Sequence, residues 1–174
     1  KVDLRTGALC GAEALARWRH PMDGIVPPVA FIERLEASQL IDELTWIILR
    51  KSAAFCQSLR TTSGLDLTVS VNLSVKSLAD VHLAERVTEV VRRQGLDPRH
   101  MILEVTESAT TTEVGHVLEN LSRLRMKGFG LSIDDYGTGY SSMQQLTRIA
   151  FTELKVDQSF VATAPRHASA RVIL

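Results

Sequence analysis

Several features are scarce in this sequence, and each scarcity argues against a class of protein. Only two of the 174 residues are cysteine, and Cys10 and Cys56 lie far apart with no metal-ligand spacing. A disulfide scaffold is therefore not expected, and two free thiols predict a reducing, cytoplasmic location. No apolar run approaches the roughly 20 residues that a membrane-spanning helix needs. The first residues, Lys1 to Leu4, also lack the form of a signal peptide.

An excess of charge of one sign is also missing. Lys and Arg together number 20, Asp and Glu together number 20, and the formal net charge is zero. No overall field therefore attracts the protein to a nucleic acid polymer or a membrane surface, and an anionic ligand must be held by local groups. With 45% hydrophobic and 23% charged residues, the composition predicts one soluble globular domain over residues 1–174.

Hydrophobic patterns with the period of a strand alternate along the chain with patterns of helical period. Strands are predicted at 8–18, 67–73, 101–106, 129–134 and 152–157, and helices at 31–40, 41–60, 83–91 and 114–124. A loop rich in proline and glycine is expected at 20–28. The helix at 41–60 is expected to carry the apolar stripe Leu44, Ile48, Phe55 and Leu59 and to end at Gly64. This alternation predicts an α/β protein built from parallel βαβ units.

The most informative stretch follows the apolar run 129–133 and begins with Asp134 and Asp135. Two adjacent carboxylates at the end of a buried strand are costly unless a cation lies beside them. Neighbouring strand residues point to opposite faces, so the two can share a site only if the strand ends between them and the backbone turns, as Gly137 and Gly139 permit. The alternative is a solvated turn that closes a hairpin.

Polar residues recur at the ends of the predicted strands. They are Glu13, Asn72, Glu104, Asp134 with Asp135, and Lys155. In a parallel α/β barrel these ends line one pocket, and a set of oxygen ligands selects Mg²⁺, Mn²⁺ or Ca²⁺ over zinc. A second cation beside the aspartates would fit a two-metal hydrolytic site. Lys155 would then orient the attacking water or neutralise developing charge. None of the five histidines shows paired ligand spacing.

Arg17 lies four residues beyond Glu13, on the same face of the predicted first strand. The separation is about 13 Å at roughly 3.3 Å per residue. A guanidinium at that reach suits a phosphate further from the metals. The alternative is a surface arginine that pairs with a neighbouring acid.

Five segments together resemble one known family, the EAL domains, which are phosphodiesterases of the bacterial messenger cyclic di-GMP. The segments are Gly11-Ala-Glu-Ala-Leu-Ala-Arg-Trp18, Ser70-Val-Asn-Leu-Ser74, Leu103-Glu-Val-Thr-Glu-Ser108, Asp134-Asp-Tyr-Gly-Thr-Gly-Tyr-Ser-Ser142 and Leu154-Lys-Val-Asp157. Their order and spacing agree with the family over nearly the whole chain. Tyr136 stands where the family commonly has Phe, a change that keeps an aromatic ring.

The resemblance implies a modified (β/α)₈ barrel of the TIM type with two Mg²⁺ or Mn²⁺ ions. On the family pattern, Glu13, Asn72, Glu104 and Asp134 bind one metal, and Asp134 and Asp135 reach the second. The same pattern assigns Lys155 to the attacking water, Arg17 and Leu15 to the substrate, and Glu107 to bracing the loop after Asp135. The implied product is the linear dinucleotide pGpG.

The chain departs from the family pattern at its end. EAL domains continue beyond the segment that matches Leu154 to Asp157 with a strand that carries a catalytic Glu and then a closing strand. This sequence stops at Leu174, inside a helix predicted to begin near Ala168. Barrels of this type usually need about 250 residues. We therefore expect most of a barrel that lacks its last strands.

The leading hypothesis is a metal-dependent phosphodiesterase that opens cyclic di-GMP by attack of a metal-activated water. A first alternative is a receptor that holds cyclic di-GMP without cleaving it. A second is a regulatory or dimerisation module, in which the loop after Asp135 and the next helix form a homodimer contact. In each case we expect attachment to a sensor or receiver domain of a longer signalling protein.

Overall fold

The computed structural model describes residues 1–107, 115–136 and 150–163. Between residues 41 and 136 the described helices and strands alternate, as the sequence predicts. In chain order the elements are β1 (Gly11–Ala14), β2 (Trp18–His20), β3 (Gly24–Val26), α1 (Ile32–Ala37), α2 (Ile41–Ser63), β4 (Thr68–Asn72), α3 (Leu83–Arg93), β5 (Met101–Thr106), α4 (Gly115–Met126), β6 (Gly130–Tyr136), β7 (Glu153–Val156) and α5 (Gln158–Thr163). Among these helices none is both long and apolar enough to cross a bilayer.

Five of the strands form one parallel sheet in the order β1-β4-β5-β6-β7. Every neighbouring pair runs parallel, from Gly11 beside Thr68 to Ile133 beside Leu154. The order of the strands in the sheet follows the chain, and helices α3 and α4 lie between β4, β5 and β6, which is the arrangement of an α/β barrel. The predicted α/β class with a parallel sheet is confirmed. All five strands therefore present their C-terminal ends at the same edge.

Residues 8–28 differ from the prediction of one long strand and a loop. β1 ends at Ala14, and β2 pairs antiparallel with β3 as a separate hairpin. Asp23 and Gly24 close its turn, and Gly24 has a φ of 73° that favours glycine. An Asp-Gly pair is a strong hairpin signal, and the sequence analysis overlooked it. Because β1 ends so early, Arg17 does not continue the strand face of Glu13.

Helix α2 begins and ends close to the predicted bounds, but it turns a different face to the core. Its buried residues are Ile41, Thr45, Leu49, Ser52, Ala53 and Cys56. Phe55, which the sequence analysis placed on the apolar stripe, is 57% exposed. Two of the buried positions carry a hydroxyl group, so a stripe drawn through the hydrophobic residues alone lies on a different face of the helix from the buried one. Gly64 ends the helix in the left-handed region, as predicted.

The hydrophobic core lies between the outer face of the sheet and helices α2, α3 and α4. Its sheet side includes Val69, Val71, Leu103, Val105 and Leu131, and its helix side includes Leu49, Val87, Val91, Leu121 and Leu124. Alternation along each strand turns the other set of side chains to the inner face. The inner face is where the polar residues of the strands gather.

Replacement of Phe129, which is fully buried just before β6, tests this core. We expect Phe129→Ala to lower the free energy of unfolding by about 3–5 kcal/mol, because the removed ring leaves a cavity. Phe55→Ala is the matched control, and we expect a loss below about 1 kcal/mol for this exposed ring. Urea unfolding followed by circular dichroism measures both. Equal losses would contradict the assignment of the core.

Candidate metal centre

Three acidic side chains meet at the C-terminal edge of the sheet. Glu13 on β1, Glu104 on β5 and Asp134 on β6 each offer a carboxylate oxygen, and these atoms lie within 4.8 Å of one another. The Glu104 side chain is fully buried, and Asp134 is 22% exposed. Glu13 is 28% exposed. The parallel strands bring these residues together although more than 120 positions separate the first from the last.

The ammonium group of Lys155 lies among the three carboxylates. Its Nζ is 3.2 Å from Glu13 Oε2, 3.0 Å from Glu104 Oε2 and 3.1 Å from Asp134 Oδ1. Burial lowers the pKa of Lys155, but hydrogen bonds to Glu104 and Asp134 outweigh it and raise that pKa above its ordinary value. Lys155 is therefore protonated at neutral pH. Its ammonium shows that a single cation at this point can contact all three acids.

Asn72 is the fourth predicted ligand in the cluster. It ends β4, and its Nδ2 donates a hydrogen bond of 3.3 Å to Glu13 Oε1. In the sheet it lies directly beside Glu104. The structure thus brings Glu13, Asn72, Glu104, Asp134 and Lys155 together, as the argument from strand ends predicts.

The cluster fits a hard divalent cation on its own chemistry. Burial raises the pKa of Glu104, and the hydrogen bond from Lys155 opposes this rise. The buried Oε1 atom of Glu104 accepts no hydrogen bond from the described residues. Three carboxylates beside an amide, with one of the carboxylates fully buried, are a ligand set for Mg²⁺ or Mn²⁺.

The backbone at Asp135 departs from a regular strand in a different way from the one predicted. Strand β6 does not end between the two aspartates but continues to Tyr136. Asp135 itself has a φ of 55°, and the pairing of β6 with β7 shifts register between Ile133 and Tyr136. This irregularity breaks the normal alternation. Asp135 is exposed, but partial loss of hydration and the charges of Asp134 and Asp157 raise the pKa of its carboxyl group. Gly137 and Gly139 lie outside the described residues.

Arg17 and Leu15 lie apart from the carboxylates, on the segment between β1 and β2. Arg17 is exposed, its Nη1 donates 2.7 Å to the Ala16 carbonyl, and Leu15 is 54% exposed. Both line an open apolar groove between this segment and helices α1 and α2. The predicted strand face shared with Glu13 is wrong because β1 ends at Ala14, so the separation of about 13 Å, which requires an extended strand as far as Arg17, no longer follows. Within the described part of the chain, Arg17 also forms no ion pair with an acid.

Comparison with known proteins identifies the family of the chain. The sequence model of the family described as "EAL domain" matches residues 1–174. This chain belongs to the EAL domain family.

Relatives and solved structures agree with that assignment. The chain is 37% identical to the cyclic di-GMP phosphodiesterase RocR of Pseudomonas aeruginosa, over 95% of this chain and 43% of RocR. It is 39% identical to the cyclic di-GMP phosphodiesterase NbdA of the same organism, over 93% of this chain and 21% of NbdA. The chain therefore spans less than half the length of these relatives. A structure described as "PaMucR Phosphodiesterase, c-di-GMP complex" aligns with a TM-score of 0.87 and 35% identity, covering 96% of this chain and 68% of the other.

Glu107 of this EAL domain is buried just beyond β5, with 4% of its surface exposed. The loop that it is predicted to brace begins after Tyr136, outside the described residues. Its bracing role stays a prediction.

The sequence analysis missed a second set of polar residues in the EAL domain. Each of them lies two positions before a residue of the site: Ser70 before Asn72, Ser132 before Asp134 and Glu153 before Lys155. They therefore lie on the same inner face of the sheet, further from its C-terminal edge. Ser70 and Ser132 are fully buried, and Ser132 Oγ donates 3.3 Å to Glu153 Oε1. A repeat of polar residues at every second strand position is the signal that would have found them.

Proposed function

We propose that this EAL domain hydrolyses cyclic di-GMP to pGpG with the help of two Mg²⁺ or Mn²⁺ ions. In the proposal Glu13, Asn72, Glu104 and Asp134 hold one ion, and Asp134 and Asp135 reach the second. The observation that carries it is the convergence of three carboxylates on one lysine at the ends of separate strands. The names of RocR and NbdA, both cyclic di-GMP phosphodiesterases, support the choice of substrate.

The reaction adds water across one phosphodiester bond. The water oxygen joins phosphorus, the bond from phosphorus to the 3′ oxygen breaks, and that oxygen leaves with a proton, giving a 5′ phosphate. Bound divalent cations lower the pKa of a water molecule and neutralise phosphate charge. Lys155, protonated at neutral pH, orients the attacking water or stabilises charge that develops on the phosphate. The exposed guanidinium of Arg17 binds a substrate phosphate, and Leu15 beside it contacts the substrate.

Removal of metal is the first test. We expect the purified protein to convert cyclic di-GMP to pGpG with Mg²⁺ or Mn²⁺, and chromatography to detect no pGpG in EDTA. Excess Mn²⁺ added to the EDTA sample should restore turnover. Equal turnover in EDTA would contradict a metal centre. Binding of cyclic di-GMP with no pGpG in any metal would support the receptor that does not cleave its ligand.

The wider setting of the domain is also part of the proposal. The chain matches only 43% of RocR and 21% of NbdA, which supports attachment to sensor or receiver domains in a longer signalling protein. The free thiols of Cys10 and Cys56 support a reducing, cytoplasmic location. A homodimer through the loop after Asp135 stays a prediction, because residues 137–149 lie outside the described part of the chain.

A further inference from the structure

A layer of polar side chains lies directly beneath the carboxylate cluster, and Lys1 reaches into it. We call Lys1, Ser70, Ser132 and Glu153 the lower layer. Lys1 Nζ donates 2.5 Å to Ser70 Oγ and 2.5 Å to Glu153 Oε1. The second contact joins residues 152 positions apart, because Lys1 precedes β1 and Glu153 lies on β7. Only 24% of the Lys1 side chain and 28% of the Glu153 side chain are exposed. The pair is therefore largely shielded from water.

Gly11 lies beside Lys1 in this layer. Gly11 is on β1 two positions before Glu13, where another residue would point a side chain inward. A Cβ at Gly11 would collide with Thr68 Oγ1 at 2.7 Å and would be in van der Waals contact with Lys1 Cδ at 3.6 Å. The backbone of Lys1 is held beside the start of β1, because the Cys10 amide donates a hydrogen bond to the Lys1 carbonyl. The Lys1 side chain thus fills the place that β1 leaves open.

Glu104 lies between two ammonium groups. Lys155 contacts Oε2 from the edge of the sheet at 3.0 Å, and Lys1 Nζ is 3.6 Å from Oε1 on the opposite side. Oε1 is the buried atom that accepts no hydrogen bond from the described residues. An isolated lysine here would repel a divalent cation above it. The carboxylate of Glu153 neutralises Lys1, so the two together add no net charge to the centre.

We propose that Lys1 and Glu153 are a positioning pair for Glu104. Held by Glu153, the ammonium of Lys1 fixes Ser70 and attracts Oε1 of Glu104 from below. The carboxylate of Glu104 then keeps one orientation, with Oε2 presented at the edge of the sheet for a cation. The inference rests on the proposed cation site. Outer-shell partners that orient a metal ligand usually change metal affinity by about 10- to 100-fold.

The test removes both charges together, because the loss of one alone would change the field on the cations. We expect Lys1→Met combined with Glu153→Gln to raise the Kd for Mn²⁺ about tenfold in isothermal titration calorimetry. Lys1→Arg keeps the charge and should stay within about threefold of the unsubstituted protein. The matched control is Lys127→Met with Glu85→Gln. This control removes an ion pair on the outside of the sheet, in which Lys127 Nζ is 3.3 Å from Glu85 Oε1. It should leave the Mn²⁺ affinity unchanged.

Two further measurements separate positioning from packing. The melting temperature in EDTA reports whether the double variant folds. Ser70→Ala offers a milder change that removes only the hydroxyl to which Lys1 donates. We expect Ser70→Ala to weaken Mn²⁺ binding about threefold, below the usual range for outer-shell partners. If both folded variants bind Mn²⁺ within about twofold of the unsubstituted protein, the pair does not position Glu104 and the inference is wrong. If the unsubstituted protein binds no Mn²⁺, the proposed cation site fails as well.

Discussion

Glu13→Gln is expected to reduce metal-dependent hydrolysis of cyclic di-GMP by more than about 100-fold, beyond the range for outer-shell partners of a metal. The substitution is nearly isosteric and removes only the negative charge. Because glutamine fills the same space at the end of β1 and can still hydrogen-bond there, we expect the fold to stay intact. A neutral amide is a much weaker ligand for a hard cation than a carboxylate. Initial rates of pGpG formation at saturating Mn²⁺ measure the effect.

A glutamate outside the centre provides the control for this variant. Glu43→Gln changes an exposed residue in the first turn of α2, and we expect its rate to equal that of the unsubstituted protein. Circular dichroism of both variants should show the helix content of the unsubstituted protein. Retained turnover in Glu13→Gln would remove Glu13 from the metal centre.

Lys155→Met is expected to destabilise the metal-free protein by about 2–4 kcal/mol, near the cost of breaking a buried ion pair. The loss of the ammonium leaves three carboxylates facing one another, with Glu104 fully buried. A bound Mn²⁺ neutralises the same oxygens, so it should recover most of the lost stability. The difference between Mn²⁺ and EDTA should therefore be larger in the variant than in the unsubstituted protein.

Urea unfolding in EDTA and in Mn²⁺ measures this difference. Lys51→Met removes a lysine that is exposed on α2, so its unfolding curves should match those of the unsubstituted protein in both solutions. An equal loss of stability in Lys155→Met with and without Mn²⁺ would show that the carboxylates and the cation do not share one position. Hydrolysis should also fall in Lys155→Met, because no ammonium remains to orient the water.

The carboxylate cluster was predictable because strand ends are a strong geometric constraint. Once alternating strands and helices indicate a parallel sheet, residues such as Asn72 and Glu104 must meet at the same edge. The oxygen atoms of their side chains then favour hard divalent cations. The backbone geometry of Asp135 was harder to predict, because a left-handed φ inside a continuing strand does not change the hydrophobic pattern of the sequence. Only the cost of two adjacent carboxylates indicated that the backbone must depart from regular alternation.

Other features escaped prediction for identifiable physical reasons. The face of α2 was misjudged because Thr45 and Ser52 are buried while Phe55 is exposed. The placement of Arg17 failed because the apolar run continues past the point where β1 ends. Lys1 is the clearest case: its role depends on a contact with Glu153 across 152 positions, and no local pattern encodes such a contact.

Anomalous diffraction from crystals grown with Mn²⁺ tests the metal centre most directly. The expected result is a manganese peak within about 2.2 Å of carboxylate oxygens of Glu13, Glu104 and Asp134, close to the usual distance for small hard cations. Lys155 Nζ should then lie further from these oxygens than the 3.0–3.2 Å seen here. The contradictory result is no manganese at these carboxylates, with Lys155 still bound among them.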